Sequence, residues 1–342
     1  MKSCYINSST SISAQKTFDR DFFLNEIILH KSLTVNAIHP INKKLINPLL
    51  SRRMSPGVKM GVLAAIMSLK EGNIKIPDAI ITGTGMGCIE HSEKFLNAII
   101  ENDEKFLNPS LFINSTHNTV GAQIAIILNC NAYNTTYVHG ASSFPLALFD
   151  AQLIIHEKKA RSVLVGGVDE LGKEFIKKVI RLEEINSKGI VVPFSEGANF
   201  FLLSSVKQKN TYAKLKDIDI INKIELNNIQ EKLEKFLKKN QLLTSDIDAI
   251  VLGINGDKYD SYYYQLQESI FKSIPQVKYK HLSGEFLTAS AFSFWIASNL
   301  IKKQYIPDVL SINSVKKSKY NNVLLYNQYK GNQHSFILLK AC

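Results

Sequence analysis

A histidine and two serines stand close together in Thr135–Ala151, TTYVHGASSFPLALFDA, and imidazole beside hydroxyl invites a base-and-nucleophile reading. The segment runs from a β-type stretch into a helical one. Serines at a helix start more often act as caps that accept a bond from an otherwise unpaired N–H, and Ser142 and Ser143 are read so. His139 is read as a buried polar side chain satisfied by backbone or water, a commoner role than catalysis. His117, His281 and His334 show no metal-ligand spacing. The four cysteines, Cys4, Cys88, Cys130 and Cys342, form no C-x-x-C pair, which argues against a disulfide framework and a zinc site. They are read as small buried hydrophobes, with Cys342 at an exposed end. No metal and no cofactor is expected.

Gly83-Thr84-Gly85-Met86-Gly87 invites a phosphate-cradle reading. The dinucleotide fingerprint needs G-x-G-x-x-G, and here the third glycine comes one position early, with Cys88 in its place. A G-x-x-x-x-G-K-[ST] element is missing from the chain. The glycines are therefore read as a strand-to-helix turn that uses positive φ.

Short β-type runs alternate with helical ones, which points to α/β layering. Ala79–Thr82, Ser162–Val165 and Ala249–Leu252 read as buried strands running into glycine turns. Phe200–Ser204 and Ser335–Leu339 are further strands. Ile229, Leu233, Phe236 and Leu237 make one apolar helix face, with Lys and Glu opposite. Ser142–His156 is apolar nearly all round and predicts a fully buried central helix. The polar, lysine-rich segment Val206–Lys216 marks a boundary between an N-terminal half, 1–205, and a C-terminal half, 206–342. Each half carries a strand–helix pattern ending in a strand and a glycine turn, as a diverged duplication would.

Apolar residues are 45% and charged residues 21% of the 342, the balance of a globular protein rather than a disordered one. No apolar run approaches the ~18–20 residues that span a bilayer. The N-terminus lacks an apolar signal-peptide core, so a cytoplasmic location is expected. The net charge of +11 comes from scattered lysines without interleaved aromatics, which excludes a nucleic-acid platform. It reads as a solvated surface, or as a dock for an acidic partner.

Several segments, in order along the chain, resemble the β-ketoacyl synthase family. Thr135–Ala151 is similar to its T-A-C-S-S-S-L-V-A-L-H-x-A signature. Arg52–Lys59 (RRMSPGVK) resembles R-R-M-S-x-x-x-K, and Ile81–Gly87 (ITGTGMG) resembles I-G-T/S-G-x-G. Ser115–Ile124 (STHNTVGAQI) resembles S-T-x-x-N-x-x-A-G-x-x. Val163–Glu170 (VLVGGVDE) is similar to V-x-x-A-G-G-x-E, and Pro193–Ala198 to a compressed P-F-D…G-E-G-A. Each motif is weak alone; their colinearity carries the resemblance. It implies a thiolase-like α/β fold, two pseudo-repeated halves in an α-β-α-β-α five-layered sandwich, and a dimer.

Carried over position by position, the resemblance implies a chain without the family's chemistry. The nucleophilic cysteine falls on Ala141, or on Gly140 if the turn slips by one. The first histidine, of N-A-H-G-T, falls on Gly253 within Asp248–Gly256 (DAIVLGING), with Asn255 close by. The second, of G-H-x-x-x-A-A/S, falls on Glu285 within Ser283–Ala291 (SGEFLTASA). A carboxylate there repels the enolate that the histidine stabilises. The gate motif G-F-G-G-x-N becomes Gln328-Tyr329-Lys330-Gly331-Asn332-Gln333, with Tyr329 at the gating phenylalanine.

Three functions follow from the resemblance. The first is a non-catalytic subunit similar to a chain length factor. It pairs with an active β-ketoacyl synthase as a heterodimer, with acyl carrier protein in the complex, and shapes the acyl tunnel at the shared interface. Such factors serve polyketide, aryl polyene and related biosynthesis, beside the fatty acid pathway. The family's dimer joins the strand before the nucleophile, here roughly Asn134–Val138. The expected tunnel and interface residues are Phe112, His117, Thr136, Val138, His139, Gly140, Phe144 and Tyr329. The chain is shorter than a usual ketosynthase, with length missing before Arg52 and after Ile190. The second is a redirected acyltransferase or thioesterase using His139, Asn255 or Glu285 as acid and base. The third is a standalone acyl-binding homodimer.

Overall fold

The computed structural model describes residues 3–19, 23–40, 46, 51, 52, 54–186 and 192–342. Arg53 of the Arg52–Lys59 motif and the stretch around Ile190 lie outside the described residues. The first half supplies β1 (Cys4–Ile12), β2 (Thr34–Val35), α1 (Pro56–Glu71), β3 (Ala79–Gly83), α2 (Ile89–Glu101), α3 (Pro109–Ser115) and α4 (Thr119–Leu128). It continues through β4 (Tyr133–Tyr137), α5 (Ser143–His156), β5 (Ser162–Asp169), α6 (Lys173–Asn186), β6 (Phe194–Ser195) and β7 (Gly197–Ser204). The second supplies β8 (Ala213–Ile221), α7 (Ile229–Lys239), β9 (Ala249–Leu252), α8 (Ser261–Ser269), β10 (Gln276–Lys278), α9 (Lys280–Ser283), α10 (Ser290–Lys303), β11 (Asn322–Tyr329) and β12 (Gln333–Lys340).

Ten strands line up as β10-β9-β11-β12-β8-β1-β7-β5-β3-β4. Numbered within its own half, each set of strands reads third, second, fourth, fifth, first. The same order on both sides of one junction is the mark of a duplicated unit. The junction is a short antiparallel pairing, Cys4↔Leu215 to Ile6↔Ala213. A separate parallel pair, β2 with β6, sits apart from this sheet.

Strand alternation sorts the apolar residues into layers. Ile81, Val163, Val165, Phe201, Val251, Leu325 and Ile337 point into one central core, shared with Phe144, Leu148, Phe292 and Phe294 of α5 and α10. Ile80, Leu164, Phe200 and Leu202 point the other way, under α1 and α4. Ile250, Leu252, Leu324 and Phe336 do the same in the second half, under α7 and α8. Helices outside, sheet, two helices in the middle, sheet and helices outside make five layers, the thiolase-like arrangement.

Two expectations need correction. β8 begins inside the expected boundary Val206–Lys216, because Lys214 and Lys216 alternate with buried Ala213 and Leu215. α5 is central but not fully buried: Phe149 and Leu153, one turn apart, are exposed. The cysteines fall as expected, three buried and Cys342 exposed, all free. Among the described residues no helix is long and apolar enough to cross a membrane.

Candidate functional site

The end of β4 runs through a tight 3-10 turn, Gly140–Ser142, into α5. Gly140 sits at φ +57°, which disfavours any residue with a Cβ. Ser143 ties the turn together, since its Oγ accepts from His139 N at 2.8 Å and donates to the Gly140 carbonyl at 2.7 Å. The turn thus leads from strand to helix in a fixed shape, and the side chain it presents is the methyl of Ala141. Its backbone N–H, one of the donors that a helix start leaves unpaired, is taken by Gln333 Oε1 at 2.9 Å. Gln333 Nε2 donates to the His139 carbonyl at 3.1 Å.

Ala141, Lys280, Glu285, Asn327, Tyr329 and Gln333 help to line one small cleft, with a free volume of about 20 Å³, room for about one water. Glu285 accepts from Lys280 Nζ at 2.7 Å and from Asn255 Nδ2 at 3.0 Å. Lys280 is only 5% exposed, so the carboxylate is compensated by a buried cation. Glu285 is also fixed by its backbone, which bonds Pro193 and Ser195 on either side. Asn255 is held in turn by Asp260 and Asp257.

Gly253 closes the second flank. A Cβ placed there would lie 2.7 Å from both Asn327 Oδ1 and the Tyr263 hydroxyl. Those groups are locked in place: the Tyr279 hydroxyl donates to Asn327 Oδ1 at 2.5 Å, and Asn327 Nδ2 donates to Ser293 at 3.2 Å. The space that a histidine side chain needs is filled by an asparagine and two tyrosines. Burial pushes the Tyr263 and Tyr279 hydroxyls well above their ordinary pKa, so they remain neutral hydrogen-bonding groups.

The turn Tyr329–Gln333 is also fixed. Gly331 N–H donates to Gln328 Oε1 at 2.9 Å, and the Gly331 carbonyl faces His334 Nε2 at 3.1 Å. The other His334 nitrogen meets the Tyr326 hydroxyl at 3.0 Å. Burial lowers the His334 pKa, with the Gly331 carbonyl acting the other way.

The glycine turn is not a phosphate cradle. Its donors, Thr84 Oγ1 at 3.0 Å, Gly85 N at 2.7 Å and Met86 N at 3.3 Å, converge on Asp169 Oδ1. Asp169 Oδ2 accepts from Thr288 N and Oγ1. The acceptor this turn holds is the chain's own Asp169 carboxyl group, and it ties β5 to the loop after Glu285.

Other expected site residues scatter. His139 is exposed rather than buried, and Glu285 Oε2 accepts from both Lys280 and Asn255; among the described residues no His139–Glu285 pair forms. Phe144, expected at the tunnel, is wholly buried in the central core against Phe201 and Phe294, each ring 5.8 Å away. Phe112 on α3 is exposed and packs on Phe95 at 5.4 Å. His117 is exposed and lies against Gly87. Thr136 Oγ1 pairs with Thr82 Oγ1 at 2.8 Å, on the side facing α4. Val138 is exposed at the end of β4. Sequence reasoning missed Lys280, Asp169 and Gln333. Nothing in its spacing separates Lys280 from nearby Lys278, but Gln333 had a signal, an amide at the gate motif's final Asn.

The description of a β-ketoacyl synthase N-terminal domain matches residues 30–241, more than half of the chain. The chain belongs to the β-ketoacyl synthase family. No curated protein matches it by sequence. Among solved structures it is similar to a β-ketoacyl synthase from Burkholderia phymatum, at 13% identity and TM-score 0.79, over 100% of both chains. It is similar to the ishigamide ketosynthase/chain length factor, at 14% identity and TM-score 0.78, over 100% of this chain and 99% of that one. A third is a ketosynthase in complex with its chain length factor from Xenorhabdus doucetiae, at 15% identity and TM-score 0.73, over 100% and 98%. At such identity these likenesses show the fold of the family.

Proposed function

We propose that this ketosynthase-like chain is a non-catalytic subunit of the chain length factor kind. It pairs with an active β-ketoacyl synthase as a heterodimer, served by acyl carrier protein, in polyketide or polyene-type biosynthesis. The observation that carries the reading is the state of the three positions that family chemistry uses. Ala141, Gly253 and Glu285 are each packed or bonded into a closed arrangement rather than merely substituted. A redirected enzyme would need a free base at the cleft, and Glu285 is held in an ion pair with Lys280.

The pairing surface is β4, the outermost strand of its end of the sheet. An unpaired edge is a template for another strand. Around it Tyr133 and Val138, with Phe149 and Leu153 of α5, are exposed, an apolar patch of the kind that marks a protein interface. Phe112, His117, Val138 and His139 are the side chains we place along the tunnel seam, with Tyr329 at its gate. The halves 1–205 and 206–342 act as one scaffold for that seam.

Co-expression with an active ketosynthase, followed by tagged pull-down and size-exclusion chromatography, tests the reading. A stoichiometric heterodimer is expected. Leu153→Glu in this chain is expected to abolish it while leaving the unfolding free energy of the isolated chain within about 0.5 kcal/mol of wild type. A stable homodimer that ignores the ketosynthase would overturn the proposal. In the assembled complex, Phe112→Ala is expected to lengthen the product, read by mass spectrometry.

A further inference from the structure

The nucleophile turn of this chain is occupied, and the occupant is part of the protein. At a helix start the first N–H groups have no intrahelical acceptor, and they favour an oxygen carrying negative charge. In acyl transfer such donors hold the carbonyl oxygen of the thioester. Here the Ala141 N–H already has an oxygen at 2.9 Å, the side-chain carbonyl of Gln333. The same amide gives its N–H to the His139 carbonyl at 3.1 Å, so one side chain clips both ends of the turn. It lies over the bare face of Gly140, where an added Cβ would come within 3.1 Å of Gln333 Oε1.

The amide is presented by a rigid support. Gln333 opens β12 opposite Tyr329 of β11. The connecting turn is pinned by Gln328 and His334 through Gly331. We propose that Gln333 is a positioning residue that stoppers the vacant acyl site, its amide standing where a thioester carbonyl would bind. It closes the cleft and fixes the turn that follows the β4 edge. The inference concerns the isolated chain and does not rest on the partner reading. If the chain does work in a heterodimer, the Ala141 N–H is closed to the carbonyl of the growing acyl group.

The stopper can be tested by placing a reporter thiol beneath it. In an Ala141→Cys, Cys342→Ser chain, the remaining thiols, Cys4, Cys88 and Cys130, are buried. Burial pushes Cys4 and Cys88 up to about 12, so they stay inert to iodoacetamide at neutral pH. Labelling is followed by peptide mass spectrometry, with Gln333 intact and with Gln333→Ala. The expected result is labelling of the position-141 thiol roughly tenfold faster in the Gln333→Ala chain, the order that releasing two hydrogen bonds gives. Equal rates in the two chains would overturn the proposal. Labelling at Cys4, Cys88 or Cys130 would report unfolding. In that case Gln333→Asn, which keeps the amide and shortens the arm by one methylene, makes the same comparison, with a faster rate expected and equal rates overturning it.

Discussion

Lys280 and Glu285 hold each other at the edge of the cleft. Their 2.7 Å ion pair is almost wholly out of water, with side chains 6% and 14% exposed. A buried pair costs desolvation on both partners, so removing one is far worse than removing both. Lys280→Met, which leaves Glu285 buried without its cation, is expected to destabilise by about 3–5 kcal/mol. Lys280→Met with Glu285→Leu recovers most of that loss, both read by urea unfolding; a double variant no better than the single would refute the account. At this scale the sequence singled out Ala141, Gly253 and Glu285. It did not say which groups would meet them, because some come from far along the chain: Gln333 reaches Ala141 across 192 positions.

Where β5 ends, its last turn meets the start of α1, and a carboxyl is trapped between them. Glu170 is buried against Gly57, whose backbone N–H is its nearest donor, and among the described residues neither of its oxygens makes a hydrogen bond of good geometry. Burial first, then the nearby Glu90 and Glu196, push its pKa from 4.5 up to about 8, with the Gly57 backbone N–H and then Lys94 acting the other way. A raised folded-state pKa means the neutral acid is the form the fold tolerates. That stabilisation is complete below the ordinary carboxyl range and is lost as pH rises toward 8. Glu170→Gln stays neutral throughout. Its stability relative to wild type is expected to rise across about pH 4.5–8, reaching a gain of a few kcal/mol above pH 8. Thermal melts of both proteins across that range check it; parallel curves would contradict it. Among the elements, strands with apolar runs such as Ala79–Gly83 and Ala249–Leu252 were legible in the sequence. β1 was not, because CYINSSTSI carries few apolar side chains. Its hydroxyls are buried by pairing instead, as Ser8 does with Ser68 at 2.6 Å.

Across the whole molecule, the closed cleft makes a prediction about reversal. Restoring the family residues by Ala141→Cys, Gly253→His and Glu285→His together is expected to give no condensation activity with acyl and malonyl carrier proteins, read by product mass spectrometry. Gly253→His alone drives its Cβ to 2.7 Å from Asn327 and Tyr263, an overpacking worth about 1–3 kcal/mol of lost stability. Turnover by the triple variant would show that the three positions alone define the difference from an active enzyme.

The sequence by itself determined the layering and the family resemblance, and it singled out Ala141, Gly253 and Glu285, because those rest on local period and on motifs read in order. It also hinted at the duplication through the repeated strand–helix pattern. Only the tertiary structure decided what meets those three positions. It brought Lys280 to Glu285, Asn327 and two tyrosines to Gly253, and Gln333 to Ala141. It also moved Phe144 from the seam into the central core and left Phe149 and Leu153 exposed on α5. The physical reason is that period tells which face of an element is apolar. What that face meets, and which distant polar group completes a buried hydrogen bond, is fixed only when the two halves pack around their shared middle layer.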